Sequence, residues 1–421
     1  MSSVAEPDDA VDAVVIGIGQ LGLCFALTLE HAGLSVIGVD TRSDYVAQIR
    51  EKTLAVKEPG VSEYLRASTR LEATTDMAAA VARSRLIFIL VPTPTSGNSE
   101  AFYDHGILST VLVRLNQLKL DNKSIVINST VIPGYVRTIG KLLLKDCVRT
   151  TLSYNPAFVA QGDIMDGYTK GGWFGLVLIG EADADIGARL ETIYRRIAEV
   201  GGDGPLNVCH MSPESAEICK LASNCFRTTK ISFCNMIGDI ADASSGADKY
   251  DICRALGMDA SIGAVCMRPG YGYGGPCYPR DNRALGVYAA SVGIKATISQ
   301  ATDEYNELHH DRMAAQLVKE DLSSYAFEDV GYKPGIKVPL IDASPKLAVA
   351  KRLAKAGKRV VIRDRPDMVI EVMKEFGSLF TYEVLDNEVL PAGSGGPRLE
   401  ESEERTMFAA GPGPLSGNGV Y

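Results

Sequence analysis

Ala13-Val-Val-Ile-Gly17-Ile-Gly19-Gln20-Leu21-Gly22-Leu-Cys-Phe-Ala decides the fold of this chain. An apolar run from Asp12 reads as a buried strand, and three glycines follow at Gly-x-Gly-x-x-Gly spacing. An apolar helix then runs through Ala32, Gly33 stops it, and Leu34 to Val39 is a second strand ending at Asp40. The glycines alone would be weak evidence. Strand before, helix after and an acid at the end of the next strand make a dinucleotide-binding fingerprint. Gly17 and Gly19 permit the tight turn and close approach to a pyrophosphate, and Gly22 lets helix and strand pack. Gln20 and Leu21 belong to the same turn, where the helix N-terminus attracts phosphates. Asp40 is expected to bind ribose hydroxyls and repel a 2′-phosphate, which favours NAD over NADP. Arg42 is close enough to leave NADP open.

Outward from this stretch, Asp76 to Arg83 reads as helix and Leu86 to Val91 as a third core strand. Val91-Pro92-Thr93-Pro94-Thr95 follows as a loop, where cofactor contacts sit in open α/β sheets. Ser124 to Asn128 is another buried strand, Val177 to Gly180 a further one, and Asp185 to Val200 an amphipathic helix. Gly201 to Pro205 breaks the chain, and Ser212 starts a long helix. Lys220 and Asn224 stand four apart on it, hence on one face. Ala284 to Val292 and Ile298 to Leu317 continue a helical middle. Tyr325 to Val330 is a short charged strand, a helix runs on from Pro345 to Ala356, and Lys358 to Asp364 is a strand with an acid at its end.

Composition narrows the function classes. A net charge of −9 and a pI near 5.3 argue against nucleic acid or an anionic membrane as partner. No apolar run reaches the ~20 residues needed to span a bilayer. Met1 to Ala10 lacks the basic and apolar regions of a secretory signal. The nine cysteines are scattered with no Cys-x-x-Cys, which reads as reduced thiols in a cytoplasm, without disulfide framework or metal.

The second informative stretch is Arg268-Pro-Gly270-Tyr271-Gly272-Tyr273-Gly274-Gly275-Pro-Cys277-Tyr278-Pro-Arg280-Asp281. A cysteine is commonly a small buried hydrophobe. Here glycines and tyrosines surround it, Asp281 follows, and Arg268 and Arg280 can supply a positive field. That setting suits an exposed thiol nucleophile.

Residues 272–285 resemble the active-site loop of the nucleotide-sugar 6-dehydrogenases, the UDP-glucose and GDP-mannose dehydrogenase family. The resemblance implies that Cys277 forms a thiohemiacetal and then a thioester with substrate. Residues 220–235 resemble the family's central helix. This implies that Lys220 and Asn224 line the site, stabilising oxyanion character and positioning water, and that the helix forms a dimer interface. Ser129-Thr130-Val-Ile-Pro-Gly134 is similar to the family's Ser-Thr-Val-Pro segment. Thr130 is then a candidate to hold water or the nicotinamide region, and also a candidate helix N-cap. By the same resemblance Asp281 handles charge and water, while Phe158, Tyr271, Tyr273, Gly274 and Lys333 join Lys220 and Asn224 on the substrate.

The resemblance has gaps. Leu152 to Gly162 resembles Asn-Pro-Glu-Phe-Leu-x-Glu-Gly, but Ala157 and Gln161 replace both glutamates. The family assigns the first glutamate to proton transfer and thioester hydrolysis. Gly331 to Gly335 and Asp342 to Pro345 resemble the opening of a second nucleotide-binding lobe. After Val384 the closing strands have no counterpart, and 385–421 reads as a solvated tail rich in Gly, Pro, Ser and Glu.

The expected fold is α/β: an N-terminal Rossmann-like domain (11–205), a central helical connector with the cysteine loop (206–310) and a reduced C-terminal Rossmann-like α/β domain (311–384). Residues 1–10 and 385–421 are expected to be disordered. The expected protein is a cytoplasmic homodimer that uses NAD to oxidise a primary alcohol, C6 of a nucleotide sugar, to a carboxylate. A nucleoside or nucleotide 5′-hydroxyl, or a cofactor-binding homologue without turnover, are the alternatives.

Overall fold

The computed structural model describes residues 10–96, 102–169, 175–202 and 206–385, with the backbone of 404–407. The chain separates into two compact units, residues 1–220 and 221–421. The middle region expected at 206–310 is divided between them.

In the first unit the chain runs β1 (Ala13–Ile16), α1 (Gln20–His31), β2 (Val36–Val39), α2 (Ser43–Arg50), α3 (Val61–Ala67), β3 (Leu71–Thr74), α4 (Met77–Ala82) and β4 (Leu86–Ile89). It continues through α5 (Gly106–Gln117), β5 (Ser124–Ile127), a π-helical turn (Val136–Gly140) leading into α6 (Lys141–Leu143), β6 (Thr151–Tyr154) and α7 (Ile164–Thr169). β7 (Leu176–Gly180), α8 (Ala184–Gly201), β8 (Asn207–Met211) and the start of α9 (Pro213–Asp242) complete it.

The strand order is β3-β2-β1-β4-β5-β6-β7-β8. β3 to β6 pair in parallel, β7 runs antiparallel to β6 through Tyr154 and Gly180, and β8 returns parallel to β7. The near-continuous apolar strands follow from burial on both faces. Ala13 and Val15 pack into one core with Leu86 and Phe88, while Val14 and Ile16 pack into the opposite one with Ile87 and Ile89. The helix after β1 is apolar on most sides because it is buried from Gly22 to Leu29. Phe25 meets Phe88 edge-on with ring centroids 5.0 Å apart. The connections give the doubly wound order, whose direction reverses between β1 and β4, and ligands bind in such crevices.

The second unit holds the rest of α9, then α10 (Lys249–Met258), α11 (Tyr278–Ser291), α12 (Thr297–Glu320), β9 (Ser324–Phe327), α13 (Pro345–Lys355), β10 (Val360–Asp364), α14 (Pro366–Phe376), β11 (Thr381–Val384) and β12 (Glu404–Met407). Its parallel sheet has the order β11-β10-β9-β12. Tyr325, Phe327, Val360, Ile362, Leu347, Leu353, Met368 and Val372 form its core.

Three findings differ from the sequence reading. β12 lies inside the stretch expected to be a solvated tail. β9 is buried at every residue and sits inside the sheet, so a partner strand on its far edge completes its hydrogen bonds. Glu404-Arg-Thr-Met407 has no apolar run to announce that backbone pairing. The remainder of that tail, 386–403 and 408–421, lies outside the described residues, as do 1–9 of the N-terminus and 203–205 of the expected break. α11 begins at Tyr278, ahead of the expected Ala284, because Pro279 in the first turn suits a helix start. β8 was not read, since Asn207-Val-Cys-His-Met211 is an exposed edge without apolar alternation.

Candidate active site

In the first unit, the turn after β1 forms a cradle for a dinucleotide. Gly17 has φ +89°, a conformation that favours glycine, and a Cβ there would lie 2.8 Å from Leu90 O. A Cβ on Gly22 would lie 1.9 Å from Gly17 O, so helix and turn touch only because that residue has no side chain. Beside Gly19 a Cβ would meet nothing within 4 Å, which leaves its backbone open to a pyrophosphate. Gln20 opens α1, and Leu21 packs partly buried against the core. These residues fit NAD, with the phosphates at the N-terminus of α1.

Asp40 closes β2 and is already engaged. Its Oδ1 accepts from Arg42 Nε at 3.0 Å and from Arg42 N at 3.1 Å, and its Oδ2 accepts from Arg42 Nη2 at 3.2 Å. The guanidinium also lies 4.0 Å from the Tyr45 ring centroid. Arg42 is thus neutralised by the carboxylate that would repel a 2′-phosphate. NAD is expected to give the higher kcat/KM. Asp40→Ser should release Arg42 toward a 2′-phosphate and narrow the NAD/NADP ratio at least about tenfold, the effect of ~1.4 kcal/mol. Steady-state kinetics with both cofactors check this, and an unchanged ratio would contradict it.

Across the crevice, the loop after β4 is knitted to the loop after β5. Val91 is half-buried, Pro92 exposed and Thr93 buried. Thr93 Oγ1 donates to Thr130 O at 2.7 Å, and Ser129 Oγ donates to Val91 O at 2.6 Å. Thr130 does not cap a helix; the helical turn starts at Val136 instead. Glu217, fully buried on α9, supplies that start by accepting from Gly134 N at 2.5 Å and Val136 N at 2.9 Å. Burial pushes its carboxyl up to about 7, although the two N–H donors pull the other way. His105 stacks on Tyr135 at 4.5 Å and accepts from Ile132 N at 3.2 Å. Burial pulls this imidazole down to about 4, which keeps it a neutral acceptor.

The segment after β6 is anchored through Asn155, which donates to Leu178 O at 2.8 Å and accepts from Tyr194 at 2.6 Å. Lys220 is buried, donates to Ala157 O at 2.8 Å and lies 4.3 Å from the Phe158 ring centroid. The lysine therefore grips the segment at the residue where the resembling pattern has a glutamate. Sequence reasoning missed Glu58, which is buried and accepts from Gln20 Nε2 at 3.0 Å, Gly162 N at 2.9 Å and Ile164 N at 2.7 Å. It ties the phosphate turn to the start of α7, just after the Ala157–Gln161 segment. A signal for Glu217 was present: a glutamate between Ala216 and Leu221, both fully buried.

In the second unit, Cys277 is exposed at the N-cap of α11, where the helix dipole favours a thiolate. The glycines before it are needed for contact. A Cβ on Gly274 would lie 2.0 Å from Ala343 O, and Gly275 N donates to Asp342 O at 2.8 Å. One turn into α11, Asp281 is buried and accepts from Asn224 Nδ2 at 2.8 Å. Arg227, also missed, donates to Asn224 Oδ1 at 3.3 Å and to Ser223 Oγ at 2.8 Å, which fixes the amide's orientation. Arg280 Nε stands 3.8 Å from Asp281 Oδ1. Tyr273 is buried, with its hydroxyl donating to Asp303 at 3.1 Å and accepting from Asn282 at 3.2 Å. Tyr271 packs against the core of the second unit's sheet, with Lys346 Nζ 5.8 Å from its ring. Lys333 is buried with Nζ 6.0 Å from the Tyr332 ring.

The site residues thus fall in two groups. Gly17, Asp40, Thr93, Thr130, Phe158 and Lys220 belong to the first unit, and Asn224, Tyr271, Cys277, Asp281 and Lys333 to the second.

Comparison with known proteins agrees with this architecture. Residues 11–198 match the NAD binding domain of the UDP-glucose/GDP-mannose dehydrogenase family, and residues 214–308 match its central domain. GDP-mannose 6-dehydrogenase of Pseudomonas putida is 29% identical over 364 residues, 83% of this chain and 80% of the relative. UDP-glucose 6-dehydrogenase of Pseudomonas aeruginosa is 29% identical over 374 residues, 83% of this chain and 78% of the relative. The solved UDP-glucose dehydrogenase of Pyrobaculum islandicum superposes with a TM-score of 0.78 at 27% identity, covering 91% of this chain and 88% of that one. With its cofactor cradle and its two matched domains, the chain belongs to the UDP-glucose/GDP-mannose dehydrogenase family and is an NAD-dependent oxidoreductase.

Proposed function

We propose that the protein oxidises C6 of a nucleotide-linked hexose from alcohol to carboxylate through covalent intermediates on Cys277. The observation that carries this reading is the exposed thiol at the N-terminus of α11, with the buried Asn224–Asp281 pair one turn further in. The relatives named for GDP-mannose and UDP-glucose support the substrate class.

NAD, when bound, supplies the hydride acceptor for both oxidations. Cys277 Sγ adds to the aldehyde carbon, forming the C–S bond of a thiohemiacetal and placing charge on oxygen. The Lys220 ammonium and the Asn224 amide stabilise that oxygen, with Thr130 holding water or the substrate hydroxyl nearby. The second oxidation leaves a thioester. Water attacks it, the C–S bond breaks, and the thiolate leaves as the carboxylate forms. Asp281, its second oxygen 3.8 Å from Arg280, is the carboxylate on this loop that can take the water's proton. Phe158, Tyr271, Gly274 and Lys333 shape the substrate side, while the buried ring of Tyr273 fixes the loop from behind. The net reaction consumes one alcohol, one water and two NAD, and yields one carboxylate, two NADH and three protons. NADH formation across a panel of nucleotide sugars and nucleosides tests this. Two NADH per hexose with UDP- or GDP-sugars is expected. Turnover of nucleoside 5′-hydroxyls alone would move the substrate class, and no NADH with any member would leave a non-catalytic binder.

We further propose a homodimer through α9. Phe226, Phe233 and Ile240 recur every seven residues and are 68%, 47% and 54% exposed, an apolar stripe suited to a second copy. Phe226→Asp with Phe233→Asp should halve the mass seen by analytical ultracentrifugation, and an unchanged mass would contradict the assignment. Among the described residues no helix is long and apolar enough to cross a membrane. The nine cysteines are scattered along the chain with no Cys-x-x-Cys pair, a pattern that suits a reducing cytoplasm as the working compartment.

A further inference from the structure

The residues leading to Cys277 are held from two helices of the second unit. Gly270 N donates to Asn235 Oδ1 on α9 at 2.8 Å. Asn306 on α12 accepts from Tyr273 N at 3.0 Å and donates to Tyr273 O at 3.1 Å. A further anchor is the Gly270 carbonyl, 2.7 Å from His309 Nε2, and the other ring nitrogen, Nδ1, is 2.9 Å from Asp239 Oδ2. A carbonyl and a carboxylate can only accept, so both contacts need an N–H on each ring nitrogen. The ring that makes them is an imidazolium.

The proton does not sit on Asp239. Burial pushes that carboxyl up, but the bonds and charges of His309, Tyr305 and Arg312 outweigh burial and leave it below the ordinary value. Tyr305 OH donates to Oδ2 at 2.8 Å, and Arg312 Nε stands 3.3 Å from Oδ1. His310, next on α12, adds little charge, because burial pulls it down to about 4. His309 is 6% exposed, so water has little access to replace a bond it loses.

We propose that Asp239 and His309 form a proton-dependent clamp that positions the Cys277 loop, an inference that rests on the reading of Cys277 as nucleophile. With one proton left, the ring keeps the stronger charge-assisted bond to Asp239. The Nε2 lone pair then faces the Gly270 oxygen, and that end of the loop is released. His309 acts through the loop and touches no reactant, so it is a positioning residue. Rising pH should therefore loosen the loop before the fold is lost.

Hydrogen–deuterium exchange of the amides of residues 270–277 in the full chain, corrected for intrinsic rate, reads the clamp directly. As the pH is raised from about 6 to about 9, wild-type protection should fall at least about tenfold. Asp239→Asn separates the clamp from general loosening. Its amide can donate to an unprotonated Nδ1, leaving the ring proton on Nε2, so protection should stay level with pH. His309→Phe should show low protection at both ends, with kcat lowered and the KM for NAD unchanged. If it does not fold, Asp239→Asn still decides. Wild-type protection that stays level, or Asp239→Asn falling as wild type does, would overturn the clamp. The nucleophile reading fails separately: full turnover by Cys277→Ala refutes it and leaves the exchange result standing, whereas level exchange with an inactive Cys277→Ala refutes the clamp alone.

Discussion

Cys277→Ala should lower acid formation by on the order of 10⁴-fold or more, because the covalent route is then closed. The thiol is exposed at the end of α11 and is no part of a core, so the thermal midpoint should hardly move. NAD affinity should also stay within about twofold, a change of only ~0.4 kcal/mol. Gly17, Gly19 and Gly22 belong to the first unit, and Cys277 to the second. The buried Cys24, Cys225, Cys234 and Cys266 offer no substitute of the same kind. Burial pushes Cys225 up to about 12, and Cys24, Cys234 and Cys266 are raised by the same cause. Rapid-mixing measurement of NADH and acid checks the expectation, and turnover at the wild-type rate would demote Cys277 to a surface residue.

Ala157→Glu should have the second largest effect, in the opposite direction. Thioester hydrolysis needs an activated water, and a placed general base contributes about 10²–10⁴ in rate. A methyl group at 157 takes no proton, and the amide of Gln161 orients water without deprotonating it. Asp281 is then the base left for deacylation, and it is buried and already bound by Asn224, so the wild-type enzyme is expected to accumulate acyl-enzyme, giving a burst of NADH and then a slow steady state. Lys220 holds the backbone of residue 157 at 2.8 Å, so a carboxylate introduced there starts from a fixed point. Ala157→Glu should raise the steady-state rate and shrink the burst. A wild-type time course without a burst, together with no gain in the variant, would show that Asp281 already deacylates without limiting the rate.

The strand, glycine turn, helix and acid from Ala13 to Asp40 were legible because each local signal agreed with the next. The glycine-rich approach to Cys277 was legible for the same reason. What escaped reading depends on partners distant in sequence. Glu58 sits in a polar stretch between Lys57 and Pro59, yet it closes on Gly162 and Ile164. Asp239 and His309 look like ordinary polar helix residues until α9 and α12 bring them together. β12 is set by backbone pairing with β9, for which Glu404 to Met407 carry no hydrophobic pattern. Conversely, Tyr273 reads as a ligand-facing aromatic, but its ring packs with Ile231, Cys266 and Tyr278 and helps to fix the loop.

The most direct test of the account is intact-mass analysis of enzyme quenched in acid during steady turnover with NAD and a nucleotide hexose, followed by mapping of the modified peptide. The account predicts a nucleotide-uronyl adduct on Cys277, formed while two NADH appear per substrate consumed. Unmodified enzyme throughout turnover, with one NADH per substrate and free aldehyde captured by a hydrazine, would contradict it.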